Sequence, residues 1–170
     1  GGKHDDACFS DGFLQALDQE TAVRVRRGFA MVDLGGSDVF GYPFAVMTGN
    51  RAFTLTEEER KNLRSYLDRG GFLLASASCS NAEWAASFRK VFEQVYPDRK
   101  LVPLSMDHPV FRRLYHISEV VAKKESESLQ LYGLEIGGRL AMIYSPLGLN
   151  DTANAGGGCC CCGGNEIRDA

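Results

Sequence analysis

Residues 44–50 read FAVMTGN, residues 56–71 read TEEERKNLRSYLDRGG, and residues 72–80 read FLLASASCS. These three stretches decide the fold. Phe44-Ala45-Val46-Met47 is a continuous apolar run closed by Thr48-Gly49-Asn50, the pattern of a strand buried on both faces with a turn at its carboxyl end. Thr56-Glu57-Glu58-Glu59 is a capping box: the Thr56 hydroxyl accepts from the third helical amide while Glu59 reaches back to the Thr56 amide. Leu63, Tyr66 and Leu67 supply the buried stripe of the helix that follows, and Gly70-Gly71 ends it. Phe72-Leu73-Leu74-Ala75 opens the next buried strand. A second capping box, Ser80-Asn81-Ala82-Glu83, begins a helix whose apolar face holds Trp84, Phe88, Val91, Phe92 and Val95 and which Pro97 stops. Strand, helix, strand, helix with short connections argues a parallel sheet covered on both faces.

Downstream, Leu101-Val102-Pro103-Leu104 is extended, and His108-Pro109-Val110-Phe111 starts a short turn or helix. Leu129 to Ile136 and Arg139 to Tyr144 are strand-like runs around Gly137-Gly138, a dipeptide suited to a tight hairpin because both glycines accept positive φ. The expected architecture is therefore α/β, mostly parallel, with an antiparallel hairpin near the C-terminus. Upstream, Asp11 to Leu17 has helical spacing, Thr21 to Val25 is short and β-branched as in a strand, and Met31 to Leu34 is extended. Ser37 or Asp38 opens a brief helical turn carrying Val39 and Phe40.

The chain has 170 residues, the size of one domain, and 44% hydrophobic with 24% charged residues is ordinary for a globular chain. A formal net charge of -3 gives no electrostatic footprint for nucleic acid. No apolar run reaches the ~20 residues of a membrane span, so no membrane insertion by this segment is expected. Cys8, Cys79 and the run Cys159 to Cys162 are too unevenly placed for a disulfide framework. The residues specify no cofactor and no compartment.

In open α/β sheets, ligands lie beyond the carboxyl ends of the strands. Two such ends are Thr48-Gly49-Asn50-Arg51 and Ser76-Ala77-Ser78-Cys79-Ser80. Cys79 precedes a capped helix start, where free amides and the dipole favour a thiolate, and the small Ala77, Ser78 and Ser80 allow close approach. The amides of Gly49 or Asn50 are candidate oxyanion donors opposite it. The plain reading of Cys79 is a small buried thiol at a tight turn. A nucleophilic thiol needs a base. Of His4, His108 and His116, His108 is best placed, with Asp107 beside it to orient the ring; its plain reading is a turn residue capping nearby backbone.

The segments Tyr42 to Asn50, Leu67 to Phe72, Leu101 to Leu104 with Asp107 to Phe111, and Arg139 to Leu147 together resemble an uncharacterised bacterial family. Its members are domains of unknown function related to class I glutamine amidotransferases, and the resemblance runs from about Phe13 to Asn165. It implies a flavodoxin-like three-layer α/β/α sandwich and no established reaction. Within the wider superfamily, the strand ending at Gly49 matches the one supplying the oxyanion glycine, and the strand ending at Cys79 matches the nucleophile elbow. Two departures stand out. Ala77 and Asn81 occupy the elbow positions where glycine is usual, and Gly148 to Glu166, where the catalytic histidine would fall, contains none.

That stretch instead carries Cys159, Cys160, Cys161 and Cys162 between glycines. Adjacent cysteines make a poor single-zinc site, but one or two of them could join Cys79 or His108 as soft ligands; otherwise the run is a tight loop of small side chains. Its glycines, with Arg51 nearby, are also compatible with anion binding. Three expectations follow. The first is a non-hydrolytic module binding a small molecule or a protein partner at the strand ends, with Thr48, Arg51, Ser78 and Ser80 as ligand contacts. The second is a cysteine hydrolase or transferase using Cys79, His108, Asp107, Gly49 and Asn50, and the third a metal or redox site in the cysteine run. The last residues read as the start of a helix that a longer chain would complete, with other domains possible beside it.

Overall fold

A computed structural model describes residues 12–26, 28, 30–122, 129–149 and 167–168. After α1 (Gly12–Glu20) come β1 (Phe44–Gly49), α2 (Glu57–Asp68), β2 (Phe72–Ala77), α3 (Ala82–Val95), β3 (Val102–Pro103), β4 (Val121–Ala122), β5 (Tyr132–Ile136), β6 (Arg139–Ser145) and β7 (Ile167–Arg168). Five strands form one open sheet in the order β1-β2-β6-β5-β3. The first three are mutually parallel, whereas β5 runs antiparallel to β6 and β3 antiparallel to β5. The fold is thus mixed α/β.

Local chemistry accounts for the elements. At α2, Thr56 Oγ1 accepts from Glu59 N (3.3 Å) and Glu59 Oε2 accepts from Thr56 N (2.6 Å), the complete capping box. The helix ends where Gly70 turns to φ +112, a conformation glycine adopts without steric cost. Gly137 and Gly138 have φ +59 and +76, so the β5–β6 hairpin takes its two-residue turn as expected. Arg139 ties the start of β6 to the end of α2, its guanidinium donating to the carbonyls of Leu67 (2.6 Å) and Gly71 (3.0 Å).

Helices α2 and α3 pack on each other and on the sheet. Leu63, Leu67, Leu73, Ala75, Trp84, Phe88, Val91, Met142 and Tyr144 form the core between them. On β6, Met142 and Tyr144 belong to that core while Ile143 packs into a second cluster with Leu104, Phe111, Val120 and Leu131; strand alternation puts the two clusters on opposite faces. The second face is covered over β5 and β6 by the irregular segment 104–120. Helical cover on both faces was expected; α2 and α3 share one.

Three local expectations are corrected. Thr21 to Val25 is not a strand: Thr21 Oγ1 donates to Leu17 O (2.6 Å) and accepts from Val23 N (3.1 Å), and Val25 N donates to Asp18 Oδ1 (3.4 Å), which folds the segment back on α1. The α3 cap is Asn81, not Ser80, because Asn81 Oδ1 accepts from Trp84 N (2.9 Å). Residues 167–168 are not a helix start; they pair antiparallel with Val121–Ala122. Their partner is a backbone edge, and helical spacing in so short a segment competes poorly with it.

Candidate functional site

The β1–β2 register pairs Thr48 with Ser76 and Gly49 with Ala77, and the β2–β6 register pairs Ser76 with Ser145. The carboxyl ends of three parallel strands therefore lie side by side on one rim, which brings the Gly49 and Cys79 corners together. Thr48, Ser76 and Ser145 form a rank of hydroxyls across that rim, on the face away from α2 and α3. The loop after β6 folds down onto them. Leu149 N donates to Ser76 Oγ (3.2 Å), and Ser145 Oγ both accepts from Leu147 N (3.2 Å) and donates to Leu147 O (2.7 Å). Thr48 Oγ1 is buried with no hydrogen-bond partner among the described residues.

Cys79 lies within the 3-10 turn Ser78–Ser80 between β2 and the Asn81 cap. Ser80 has φ +50, the only non-glycine residue with positive φ among those described, and its Oγ accepts from Gly148 N (3.0 Å). Backbone strain at a strand-to-helix turn thus falls one position after the cysteine. Ser78 is buried and Asn50 half-buried, whereas Arg51 is exposed. On the helix face, a Cβ at Gly49 would stand 2.6 Å from Trp84 Nε1, so glycine is required there for the indole to lie over the strand end. Trp84 stacks on Phe88 and Phe88 on Tyr144 (ring centroids 5.3 and 4.7 Å), an aromatic column under the rim. Burial raises the Tyr144 phenol above its ordinary range, so it remains a donor to Ala85 O (3.2 Å).

His108 does not join this rim. It caps the 3-10 turn Pro109–Arg112, Nδ1 accepting from Val110 N (3.2 Å), and its Nε2 faces Glu135 Oε1 at 3.5 Å. Glu135 pairs with Leu140 at the start of β6, while Cys79 lies beyond Ser76, the partner of Ser145 at its end. About five residues of strand rise plus two interstrand steps separate these positions, roughly 20 Å. Asp107 does not orient the imidazole either: its carboxylate pairs with Arg112 (2.7 Å). Sequence proximity suggested Asp107, but the chain turns at His108 and the acid that reaches the ring comes from β5. His116 is exposed in the segment after the turn. His4 and the run Cys159 to Cys162 lie outside the described residues; among the described residues no cluster of metal-ligating side chains occurs. No described helix is long and apolar enough to cross a membrane.

Sequence reasoning missed the rank of hydroxyls, Trp84 over Gly49, and Glu135 as the partner of His108. Only the second had a signal, a tryptophan in the first turn of the helix after β2, whose neighbouring strand β1 ends in glycine.

The architecture defines an open mixed α/β domain with its parallel strand ends gathered on one rim. The chain belongs to the family described as domain of unknown function DUF4159, whose model matches residues 3–155. No curated protein matches it.

Proposed function

We propose that this domain is a non-hydrolytic recognition module that binds a small ligand or a protein partner at the rim of Gly49, Ser76, Cys79 and Ser145. The observation that carries this reading is the commitment of His108 to a turn cap at the opposite rim, roughly 20 Å from the cysteine corner. A thiol nucleophile needs a base within hydrogen-bond reach. The rim keeps the features of a binding surface instead: Thr48, Arg51, Ser78 and Ser80 stand around it, and the unpartnered Thr48 hydroxyl is a polar group with unspent capacity. The reading includes an amidotransferase-like, flavodoxin-like ancestry and a bacterial source. It also includes a three-layer sandwich, supported by Phe44, Val46, Phe72 and Leu74, which are half-buried on the sheet face away from α2 and α3.

The test is turnover. Steady hydrolysis of simple amide or ester substrates, lost in Cys79→Ala and retained in His116→Ala, would overturn the proposal; stoichiometric binding without turnover, unchanged in His108→Ala, is the expected result.

A second reading has its own observation. Ser80 at φ +50 beside Cys79, with Gly49 paired to Ala77, is a strained strand-to-helix turn, and such strain clusters at functional sites. It supports a cysteine hydrolase or transferase with Cys79 as nucleophile, Gly49 and Asn50 as oxyanion donors, and a base other than His108. A thiol alkylation rate that rises through a midpoint well below pH 8 would favour it. The cysteine run as a metal or redox site is tested by metal analysis of reduced, folded protein.

A further inference from the structure

The two edges of the five-stranded sheet are β1 and β3. β3 is two residues long and one of them is Pro103, which offers no N–H, so that edge is guarded against an added strand. β1 runs over Phe44–Gly49 with neither a charge nor a proline among its residues. Its ladder fixes which way each backbone group points. Pro43 O accepts from Phe72 N (2.9 Å), and in the parallel register that follows, Ala45, Met47 and Gly49 turn their N–H groups toward β2. Val46 and Thr48 therefore turn N–H and C=O outward, where neither meets a backbone partner among the described residues.

An open edge of this kind takes an extended segment. Two features select which one. The outward groups of Val46 and Thr48 are donors and acceptors in equal number, and a two-fold related copy of the same strand supplies their complement. With Val46 opposite Thr48 of the second copy, each such pair exchanges both N–H···O bonds, and the axis falls at Met47. The ends of β1 also differ in charge. Asp38 precedes the strand and Arg51 follows it, both exposed and neither in an ion pair among the described residues. Antiparallel pairing sets each Arg51 opposite Pro43 of the other copy, on the side of that copy's Asp38; parallel pairing would bring like charges together.

We propose that two copies of this chain pair antiparallel through the outer edge of β1, joining their five-stranded sheets into one. Thr48 and Arg51 also border the carboxyl rim, but the pairing uses the backbone edge and the strand ends, and it stands whether or not that rim binds a ligand.

The experiment is sedimentation equilibrium of the whole chain in reducing buffer at low salt. A single strand edge buries less than a standard interface, so a monomer–dimer equilibrium with a Kd of about 0.1 mM is expected. Val46→Pro removes an outward N–H and leaves the ladder to β2 intact. It should weaken association about tenfold or more, the scale of the two hydrogen bonds lost per dimer. Arg51→Asp should weaken it about fivefold, and adding Asp38→Arg should restore it. Both of these side chains are exposed, so the charge variants keep the fold and decide the question even where the proline disturbs β1. A chain that stays monomeric up to about 1 mM overturns the proposal, whatever other peptide the edge then takes. So does a dimer unchanged in folded Val46→Pro, a dimer insensitive to the charge exchange, or association that continues past two copies.

Discussion

The two rims of the sheet are built on opposite plans. At the carboxyl rim the strand ends pack under a side chain and a loop, with Arg51 exposed beside them. Trp84 lies across Gly49, and the loop 145–149 is tied by backbone amides to the hydroxyls of Ser76, Ser80 and Ser145. At the rim of β3 and β5, charged side chains stand in solvent around a short proline-bearing edge strand. The small, turn-forming residues that mark the carboxyl rim as a site are the same residues that let a tryptophan and a loop pack down on it. The charges of the other rim form no motif, yet they remain open to solvent.

If that contrast is right, substitutions at the carboxyl rim cost stability and those at the other do not. The largest effect is expected from Trp84→Ala, about 3–5 kcal/mol by denaturant unfolding, because the side chain is buried and its loss leaves a cavity under the strand end. Gly49→Ala comes next at about 1–3 kcal/mol, since the new methyl meets the indole. Repeating it in a Trp84→Leu background sharpens the point: the cost should fall below about 1 kcal/mol if the indole is what forbids a side chain. A cost unchanged in that background would mean that the backbone at Gly49, rather than the indole, requires glycine. Ser76→Ala is expected to cost about 1–2 kcal/mol by stranding the Leu149 amide, with faster amide exchange at Leu149 as its signature. The smallest effect belongs to the other rim. Lys100→Gln should stay within about 0.5 kcal/mol of the parent, and a larger loss would break the contrast.

Much of this architecture was legible because the signals are local. The capping box at Thr56, the apolar runs at Phe44 and Phe72 and the paired glycines at 137 and 138 each act within a few residues and form the elements read, except that β1, read as a buried strand, is an edge strand half-buried over residues 44–48. The neighbouring of the Gly49 and Cys79 corners was legible too, because consecutive parallel strands usually pair. What was not legible depends on strand order. Nothing near His108 states that β3 returns antiparallel beyond β5, and that return carries the histidine away from the cysteine corner. The misplaced cap at Ser80 has the same origin: its hydroxyl is taken by Gly148, 68 residues on, which leaves Asn81 to cap α3.

The position of β6 has a consequence for synthesis. It is the middle strand of the sheet, yet its partners on β2, Leu73 and Leu74, lie far upstream of Met142 and Ile143 in the chain. A nascent chain leaving the ribosome therefore carries β1 and β2 with one flank open until residues near 145 emerge. Polypeptides cut short before that point would keep the β2 edge unpaired, its backbone N–H and C=O groups open to another strand, which is the kind of surface that chaperones hold and proteases find.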